Sequence, residues 1–243
     1  MNRRPDQPVV ALGGAVADEL VRLDANVVGA TQDATELTGT LDYAPSAQTV
    51  SALQPSLVIA DLAVVSMATV QQLRDAGMDV ETVDSSSIKR TAGMIRQLGT
   101  FTGQKAVATR IANDLEGMLN DRLDRLAYAV RPVALVLSWP DPLTGCGPAS
   151  LVHDVLWTAG IANALSGYSE PWPELEEGVY LGADVVLTLP YFDDWAAYQG
   201  YAQMGDLGEL IALPQAITAT GRNVFTAVDA VAPIVRMIHQ RID

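Results

Sequence analysis

The chain has 243 residues, of which 49% are hydrophobic and 18% charged, and its formal net charge is −14 at pH 7. This composition describes a folded protein with an ample core and excludes a disordered chain. The negative charge disfavours nucleic acid and anionic lipid as partners, because both would be repelled. Cys146 is the single cysteine, so an intrachain disulfide is excluded.

The first residues, MNRRPDQPVVAL, contain two arginines but no apolar run of the length that a signal peptide needs. We therefore expect either a cytoplasmic protein or the mature form of an exported one. No run of 18 apolar residues predicts a membrane span.

The first hundred residues alternate between short apolar runs and amphipathic segments. This alternation predicts a parallel β-sheet covered by helices. Strands are predicted over 8–12, 26–30, 57–60 and 80–83, and helices over 15–23, 47–53, 66–76 and 88–98.

Residues 99–131 contain no proline, and Val107, Ile111 and Leu115 begin an apolar stripe at steps of three and four. The spacing predicts one long helix. About 26 helical residues make a rod of roughly 39 Å, which is long enough to span two lobes.

The same alternation resumes after this helix. Strands are predicted over 133–137, 185–189, 210–213 and 224–228, helices over 150–159, 175–182 and 233–242, and irregular loops over 138–148 and 167–174. Residues 48–61 and 176–189 align without a gap at an offset of 128, with Leu57 on Val185. This internal echo favours two similar α/β lobes.

Four stretches, taken in order, resemble one protein family. They are VVALGGAVADELVRLDA near the start, SAQTVSALQPSLVIA, PWPELEEGVYLGADVVL, and LPQAITATGRNVFTAVD near the end. The family comprises the substrate-binding proteins of ABC importers for haem, cobalamin and iron siderophores, and the haem-binding branch is the most similar.

The resemblance implies an α/β fold with two doubly wound lobes, over 1–98 and 132–243, joined by a rigid helix over 99–131, with the ligand cleft between the lobes. It implies a monomeric, periplasmic binding protein rather than an enzyme, without catalytic residues or a cofactor of its own. The ligand would be haem, another iron or cobalt tetrapyrrole, or a siderophore, and the partner an ABC permease.

Ligands of open parallel sheets bind at the carboxyl ends of the strands. The loops predicted there carry aromatic side chains suited to a large planar ligand, namely Tyr43, Trp139, Tyr168, Trp172, Tyr191 and Trp195. The alternative is that such side chains only close the ends of each lobe's core.

The resemblance assigns roles to three of these residues. Tyr43 stands where the haem-binding branch has its iron ligand, and a tyrosine oxygen can hold haem iron. Tyr168 resembles the second-lobe tyrosine of that branch, whereas Trp172 resembles the cleft tryptophan of the cobalamin binder. Haem and corrinoid therefore both remain open.

Charge bears on that choice. Haem has two propionates, but the predicted cleft loops are almost free of arginine, with Lys89 and Arg90 as the nearest candidates. Uncharged cobalamin avoids this cost.

In the resembling family a glutamate on each lobe docks onto arginines of the permease. The corresponding positions here are Glu176 and Gln48, so the resemblance implies asymmetric docking. The alternative is that Glu176 belongs to an ordinary solvated acidic helix start.

Other readings are weaker. Gly13 and Gly14 open a helix and could cradle a phosphate, but the full GxGxxG pattern is missing. His153 and His239 lack metal-ligand spacing. Alternatives to transport are a cytoplasmic enzyme of similar fold and a paralogue that has lost transport.

Overall fold

The computed structural model describes residues 6–34, 41–127, 129–176, 182–190 and 210–242. The chain divides into two compact units. Unit 1 comprises Met1–Met118 with Thr220–Arg222, and unit 2 comprises Leu119–Ala219 with Asn223–Asp243. None of the helices in these ranges has both the length and the apolar character needed to span a bilayer.

Unit 1 contains a parallel sheet with the strand order β2-β1-β3-β4. The strands are β1 (Val9–Leu12), β2 (Val27–Ala30), β3 (Leu57–Asp61) and β4 (Val80–Val83). The helices are α1 (Gly14–Arg22), α2 (Ala47–Ala52), α3 (Met67–Asp75) and α4 (Ile88–Phe101). The two central strands are buried along their whole length, as their continuous apolar runs predict.

Serine residues start three of these helices. The hydroxyl groups of Ser46, Ser66 and Ser87 each accept a hydrogen bond from the backbone amide three residues later. This contact satisfies one of the amides that a helix leaves unpaired at its start, so the sequence fixes these boundaries locally.

The helix predicted over 99–131 is present, but its predicted bounds are too wide. The chain instead forms α4, a break at Thr102–Gln104, and α5 (Lys105–Arg125). Thr102 ends α4 by donating to the Leu98 carbonyl from its backbone N–H and its hydroxyl, and Gly103 follows with φ of +77°. A Cβ at Gly99 would lie 2.2 Å from the Ala108 Cβ, so the two helices pack closely at a glycine.

The boundary between the units falls inside α5, after Met118. Its 21 residues correspond to about 32 Å, shorter than expected. Arg96 of α4 holds the unit 1 part of α5 through Glu116, with Nη2 to Oε2 at 2.6 Å. In unit 2, Arg122 near the end of α5 pairs with Asp229.

Unit 2 contains the second sheet, with the strand order β6-β5-β8-β9 and β7 beside the start of β5. The strands are β5 (Val133–Pro140), β6 (Leu143–Gly145), β7 (Ala162–Asn163), β8 (Val185–Thr188) and β9 (Ile211–Ala212), and the helices are α6 (Leu151–Ala159) and α7 (Val224–Ile242). All pairings are parallel except that of β5 with β6.

Two other predictions for this unit are wrong. The predicted strand over 224–228 is the start of α7, whose buried Val224, Val228 and Val231 recur at helical spacing. The predicted loop over 138–148 contains the end of β5 and all of β6. A local apolar run and a cluster of prolines were misleading, because helix packing buries the start of α7 and pairing with β5 forms β6.

The internal echo is confirmed for its strand. β3 begins at Leu57 and β8 at Val185, which are the two positions that the alignment superposes. The predicted helix over 175–182 lies largely outside the described residues, and Leu175 and Glu176 are not helical.

Candidate functional site

The strand order of unit 1 puts its topological switch point at the carboxyl ends of β1 and β3. From β1 the chain moves outward to β2, then crosses to β3 on the other side of β1. Right-handed crossovers in opposite directions place their helices on opposite faces, which opens the sheet edge between these strands to ligands. Gly13 follows β1 there with φ of +127°, and a Cβ on it would lie 2.8 Å from the Asp61 Cβ.

Asp61 ties together the loops of this edge. Its carboxylate accepts hydrogen bonds from the Ser85 hydroxyl at 2.5 Å, the Ser85 amide at 3.0 Å and the Ala63 amide at 3.0 Å. Burial raises the pKa of Asp61, against the opposite effect of the hydrogen bonds from Ser85 and Ala63. These hydrogen bonds within the protein occupy the Asp61 carboxylate, so Asp61 holds the loops at this edge of the sheet in position.

The amides at the start of α1 are also occupied. Gly13 donates to the Thr31 hydroxyl at 2.9 Å, and Gly14 donates to Asp33 Oδ2 at 2.8 Å. A carboxylate therefore already takes the place that a phosphate would need at this helix start. The phosphate-cradle reading of the two glycines is not supported by this geometry.

Tyr43 lies at the same edge of the sheet. Leu41 extends the edge by a parallel bridge to Thr31, and Tyr43 follows two residues later with 43% of its surface exposed. Exposed apolar side chains also lie just after β3, at Leu62 and Val64. Unit 1 thus presents a tyrosine and an apolar loop at the carboxyl ends of its strands.

The basic candidates for a propionate lie after β4, and one is already paired. Arg90 Nη1 donates to Asp84 Oδ2 at 2.5 Å and to the Ser86 hydroxyl. Burial acts to raise the pKa of Asp84, but hydrogen bonds from Ser86, whose amide donates to Asp84 Oδ1 at 2.8 Å, and from Arg90 hold this pKa below its usual value. Arg90 would have to give up this contact to bind a ligand carboxylate.

In unit 2, Trp139 stands near the carboxyl end of β5. It lies beyond Leu137, the last β5 residue that pairs with β8, and 49% of its surface is exposed. Its indole Nε1 donates to the Asp141 carbonyl at 3.0 Å. The ring is therefore held in one orientation while much of its surface faces solvent.

The loop over 167–174 is more ordered than its composition predicts, because part of it runs antiparallel to β6. Gly147 donates to the Pro171 carbonyl at 2.9 Å, Gly145 to the Pro173 carbonyl at 3.0 Å, and Leu175 to the Leu143 carbonyl at 2.8 Å. A Cβ at Gly147 would lie 2.0 Å from the Glu170 carbonyl oxygen, so the approach requires glycine.

This pairing brings the side chains of Trp139, Thr144 and Glu174 to one face of the sheet. Trp139 pairs with Thr144 just after a register shift of the β5–β6 ladder, where Ser138 Oγ also lies 2.8 Å from Thr144 Oγ1. Thr144 forms an antiparallel bridge with Glu174. Directly opposed residues of antiparallel strands project to the same side. Trp172, two residues before Glu174, is 46% exposed. An exposed indole and a carboxylate therefore flank Thr144.

The other predicted residues fall in different surroundings. Tyr168 is partly buried and packs against a core cluster of unit 2 that includes Leu137 and Leu165, as the alternative reading of loop aromatics expected. Glu176 and Gln48 are exposed, each in its own unit. Tyr191 and Trp195 lie outside the described residues.

A second hydrogen-bond network supports the loop that follows β6. Asn163 donates from Nδ2 to the Cys146 carbonyl at 2.7 Å and accepts from the Leu165 amide at 2.9 Å. This fixes the amide orientation, so its 3.1 Å contact with His153 Nδ1 is a hydrogen bond that the histidine accepts. Burial lowers the pKa of His153 and raises that of the Cys146 thiol.

Sequence reasoning missed a buried ion pair in unit 1. Glu19 of α1 is fully buried and accepts from Arg222 Nη2 at 2.6 Å and Nε at 2.9 Å. The preceding Gly221 has φ of +59°. Nothing local marks either residue, because the two partners lie 203 positions apart.

Within the described part of the chain, no group of three His, Cys, Asp or Glu residues is placed to hold a metal ion. A metal carried by a chelating ligand needs no such group, since the chelate supplies most of its ligands.

The described units have the fold of the two-lobed periplasmic binding proteins. The vitamin B12-binding protein of Vibrio cholerae superposes with a TM-score of 0.77 at 16% identity, covering 98% of this chain and 99% of the other. The haem-binding protein of Roseiflexus sp. RS-1 gives a TM-score of 0.76 at 21% identity, covering 98% and 100%.

Sequence comparison finds a similar group of proteins. A vitamin B12-binding protein of Salmonella paratyphi A is 30% identical over 152 residues, which cover 55% of this chain and 56% of the relative. One of Salmonella choleraesuis is 28% identical over 148 residues with the same coverage. The chain thus spans little more than half the length of these curated relatives. No protein-family model matches it.

Proposed function

We propose that this chain is the extracytoplasmic substrate-binding protein of an ABC importer, and that it captures a tetrapyrrole or related metal chelate and delivers it to a membrane permease. It acts as a binding module rather than an enzyme. The fold shared with haem-binding and vitamin B12-binding proteins supports this proposal.

One observation on exposed apolar side chains gives this proposal further support. Most exposed large apolar side chains of the described residues lie at the carboxyl edges of the two sheets, where ligands of this fold class bind. In unit 1 they are Tyr43, Leu62, Val64 and Met67, and in unit 2 they are Trp139 and Trp172. Flat aromatic surface with a polar group suits a planar macrocycle.

Haem and corrinoid are the two candidate tetrapyrroles, and a ferric siderophore is the alternative chelate. A ferric haem would use the exposed phenol of Tyr43 as an axial ligand. A corrinoid is favoured by the similarity to proteins named vitamin B12-binding and by the scarcity of basic side chains in unit 2.

The test is titration of the purified chain with haemin and with cyanocobalamin, followed by absorbance, tryptophan fluorescence and native mass spectrometry. We expect one-to-one binding of at least one of them. Trp139→Ala and Trp172→Ala should each weaken it about tenfold, as the loss of an aromatic anchor does.

Trp157→Ala is the matched control. Trp157 is 41% exposed on α6, but it stacks against Arg131 away from the carboxyl edge of the sheet. Its loss should leave binding unchanged. For haem, Tyr43→Phe should shift the Soret band. Absence of binding by both probes would reject the proposal.

A further inference from the structure

The sequence of unit 2 has an extreme charge distribution. Between Arg131 and Arg222 the chain contains eleven Asp and Glu residues and not one Lys or Arg. All strands of the second sheet, from β5 to β9, lie in this stretch. No side chain there, apart from the single His153, can carry a positive charge to pair with an anionic ligand.

Glu174 brings this charge directly to the candidate site. It is exposed, bridges to Thr144, and so shares a face with Trp139. Opposed Cβ atoms in such pairs lie about 5 Å apart, so the Glu174 carboxylate stands within two strand spacings of the exposed indole. A flat ligand lying on Trp139 would bring its rim close to this carboxylate.

A carboxylate interacts differently with the different chemical groups that a ligand can carry on its rim. An amide N–H or a cationic group on the rim can donate a charge-assisted hydrogen bond to Glu174. A ligand carboxylate would instead meet a like charge, and like-charge pairs at an interface act mainly by rejecting the wrong partner.

We propose that unit 2 selects ligands by the charge of their rim, accepting chelates edged with amides or positive charge and rejecting those edged with carboxylates, with Glu174 as a specificity-determining residue. This rests on the proposed function, whose binding surface it describes. It places the substrate in the class of amide-edged macrocyclic metal chelates rather than that of dicarboxylate porphyrins.

The experiment compares the dissociation constants of cyanocobalamin, whose corrin rim carries amides, and haemin, which carries two propionates, at low salt. We expect the wild-type chain to bind cyanocobalamin at least tenfold more tightly. Glu174→Gln should narrow this preference at least threefold, because it removes the repelling charge and weakens the acceptor.

Gln240→Lys is the matched control. Gln240 is exposed on α7, far along the chain from the aromatic face, and its replacement raises the net charge by the same one unit as Glu174→Gln. It should leave the preference unchanged, and circular dichroism should show that both variants fold.

The outcomes separate the two proposals. Haemin binding as tight as that of cyanocobalamin, or equal effects of Glu174→Gln and Gln240→Lys, would overturn the charge selection and leave the binding function intact. Failure of both probes to bind would overturn the binding function itself.

Discussion

Arg222 donates three side-chain hydrogen bonds of 2.6–3.0 Å to the fully buried carboxylate of Glu19, and its backbone amide adds a fourth at 2.9 Å. Through these contacts the short segment Thr220–Arg222 belongs to unit 1, although the chain on both sides of it belongs to unit 2. The ion pair therefore joins a late part of the chain to α1 of unit 1.

Removing the cation should be costly. Arg222→Leu leaves the buried Glu19 with the longer, 3.3 Å contact to Arg22 Nη1, and we expect a loss of about 3 kcal/mol in the free energy of unfolding. Urea denaturation measures it. The control is Arg90→Leu, which breaks the exposed pair with Asp84 and should cost at most about 1 kcal/mol. Equal losses from the two substitutions would contradict this account of Glu19.

Two glycines of α4 should respond to alanine in opposite ways. A Cβ at Gly99 would lie 2.2 Å from the Ala108 Cβ, whereas a Cβ at Gly93 meets nothing within 4 Å. Gly99→Ala should therefore destabilise by about 1 to 3 kcal/mol through overpacking. Gly93→Ala should stabilise by about 0.5 to 1 kcal/mol, the gain in helix propensity. Thermal unfolding of both variants measures this, and a stable Gly99→Ala would show that α4 and α5 pack less closely.

The sequence predicted regular elements wherever local signals and packing agreed. Continuous apolar runs gave the positions of β1, β3 and β8. It failed at Thr102–Gln104, because a Thr-Gly break without proline still fits a helical stripe. It failed at 224–228, because β-branched residues buried by helix packing look like a strand.

The candidate site was predicted in part. Aromatic residues at strand ends followed from the predicted topology, and Trp139 and Trp172 are both exposed, although their role in binding stays a prediction. The bridge that sets Glu174 beside Thr144 joins residues 30 positions apart in sequence. The His153–Asn163 contact joins the first turn of α6 to the end of β7. Such contacts depend on the assembled fold and have no local signature.

Stability should fall in mild acid because of His153. Burial lowers its pKa in the folded state below the usual value of 6.5. The unfolded chain therefore binds a proton first as pH falls, and stability decreases through the window between 6.5 and the lower folded-state pKa. Above this window the contribution is constant.

The variant His153→Gln keeps an acceptor for Asn163 but cannot be protonated. Urea denaturation of both proteins from pH 8 to pH 5 isolates the effect, since other titrating groups cancel in the difference. We expect the wild type to lose more stability than His153→Gln on acidification. Parallel pH profiles would show that protonation does not disturb this network.

Docking to a permease, if the proposed function holds, should depend on unit 2 more than on unit 1. Glu176 can form a charge-assisted hydrogen bond with an arginine, whereas Gln48 can form only a neutral-acceptor one of about half the strength. Both side chains are exposed. In binding assays with the cognate permease in detergent, Glu176→Ala should abolish complex formation and Gln48→Ala should change it little. Equal losses would refute the asymmetry.

The absence of lysine and arginine between Arg131 and Arg222 also governs how the protein can be cut. Trypsin cleaves after these residues but not before proline, and Pro132 follows Arg131, so one tryptic peptide runs from Leu126 to Arg222. It contains β5 to β9 and α6. Limited trypsinolysis therefore reports on unit 1, α5 and α7 alone. Protection of the second sheet by a ligand becomes measurable with a protease that cleaves after glutamate, because Glu174 and Glu176 follow the exposed Trp172 closely and neither precedes a proline.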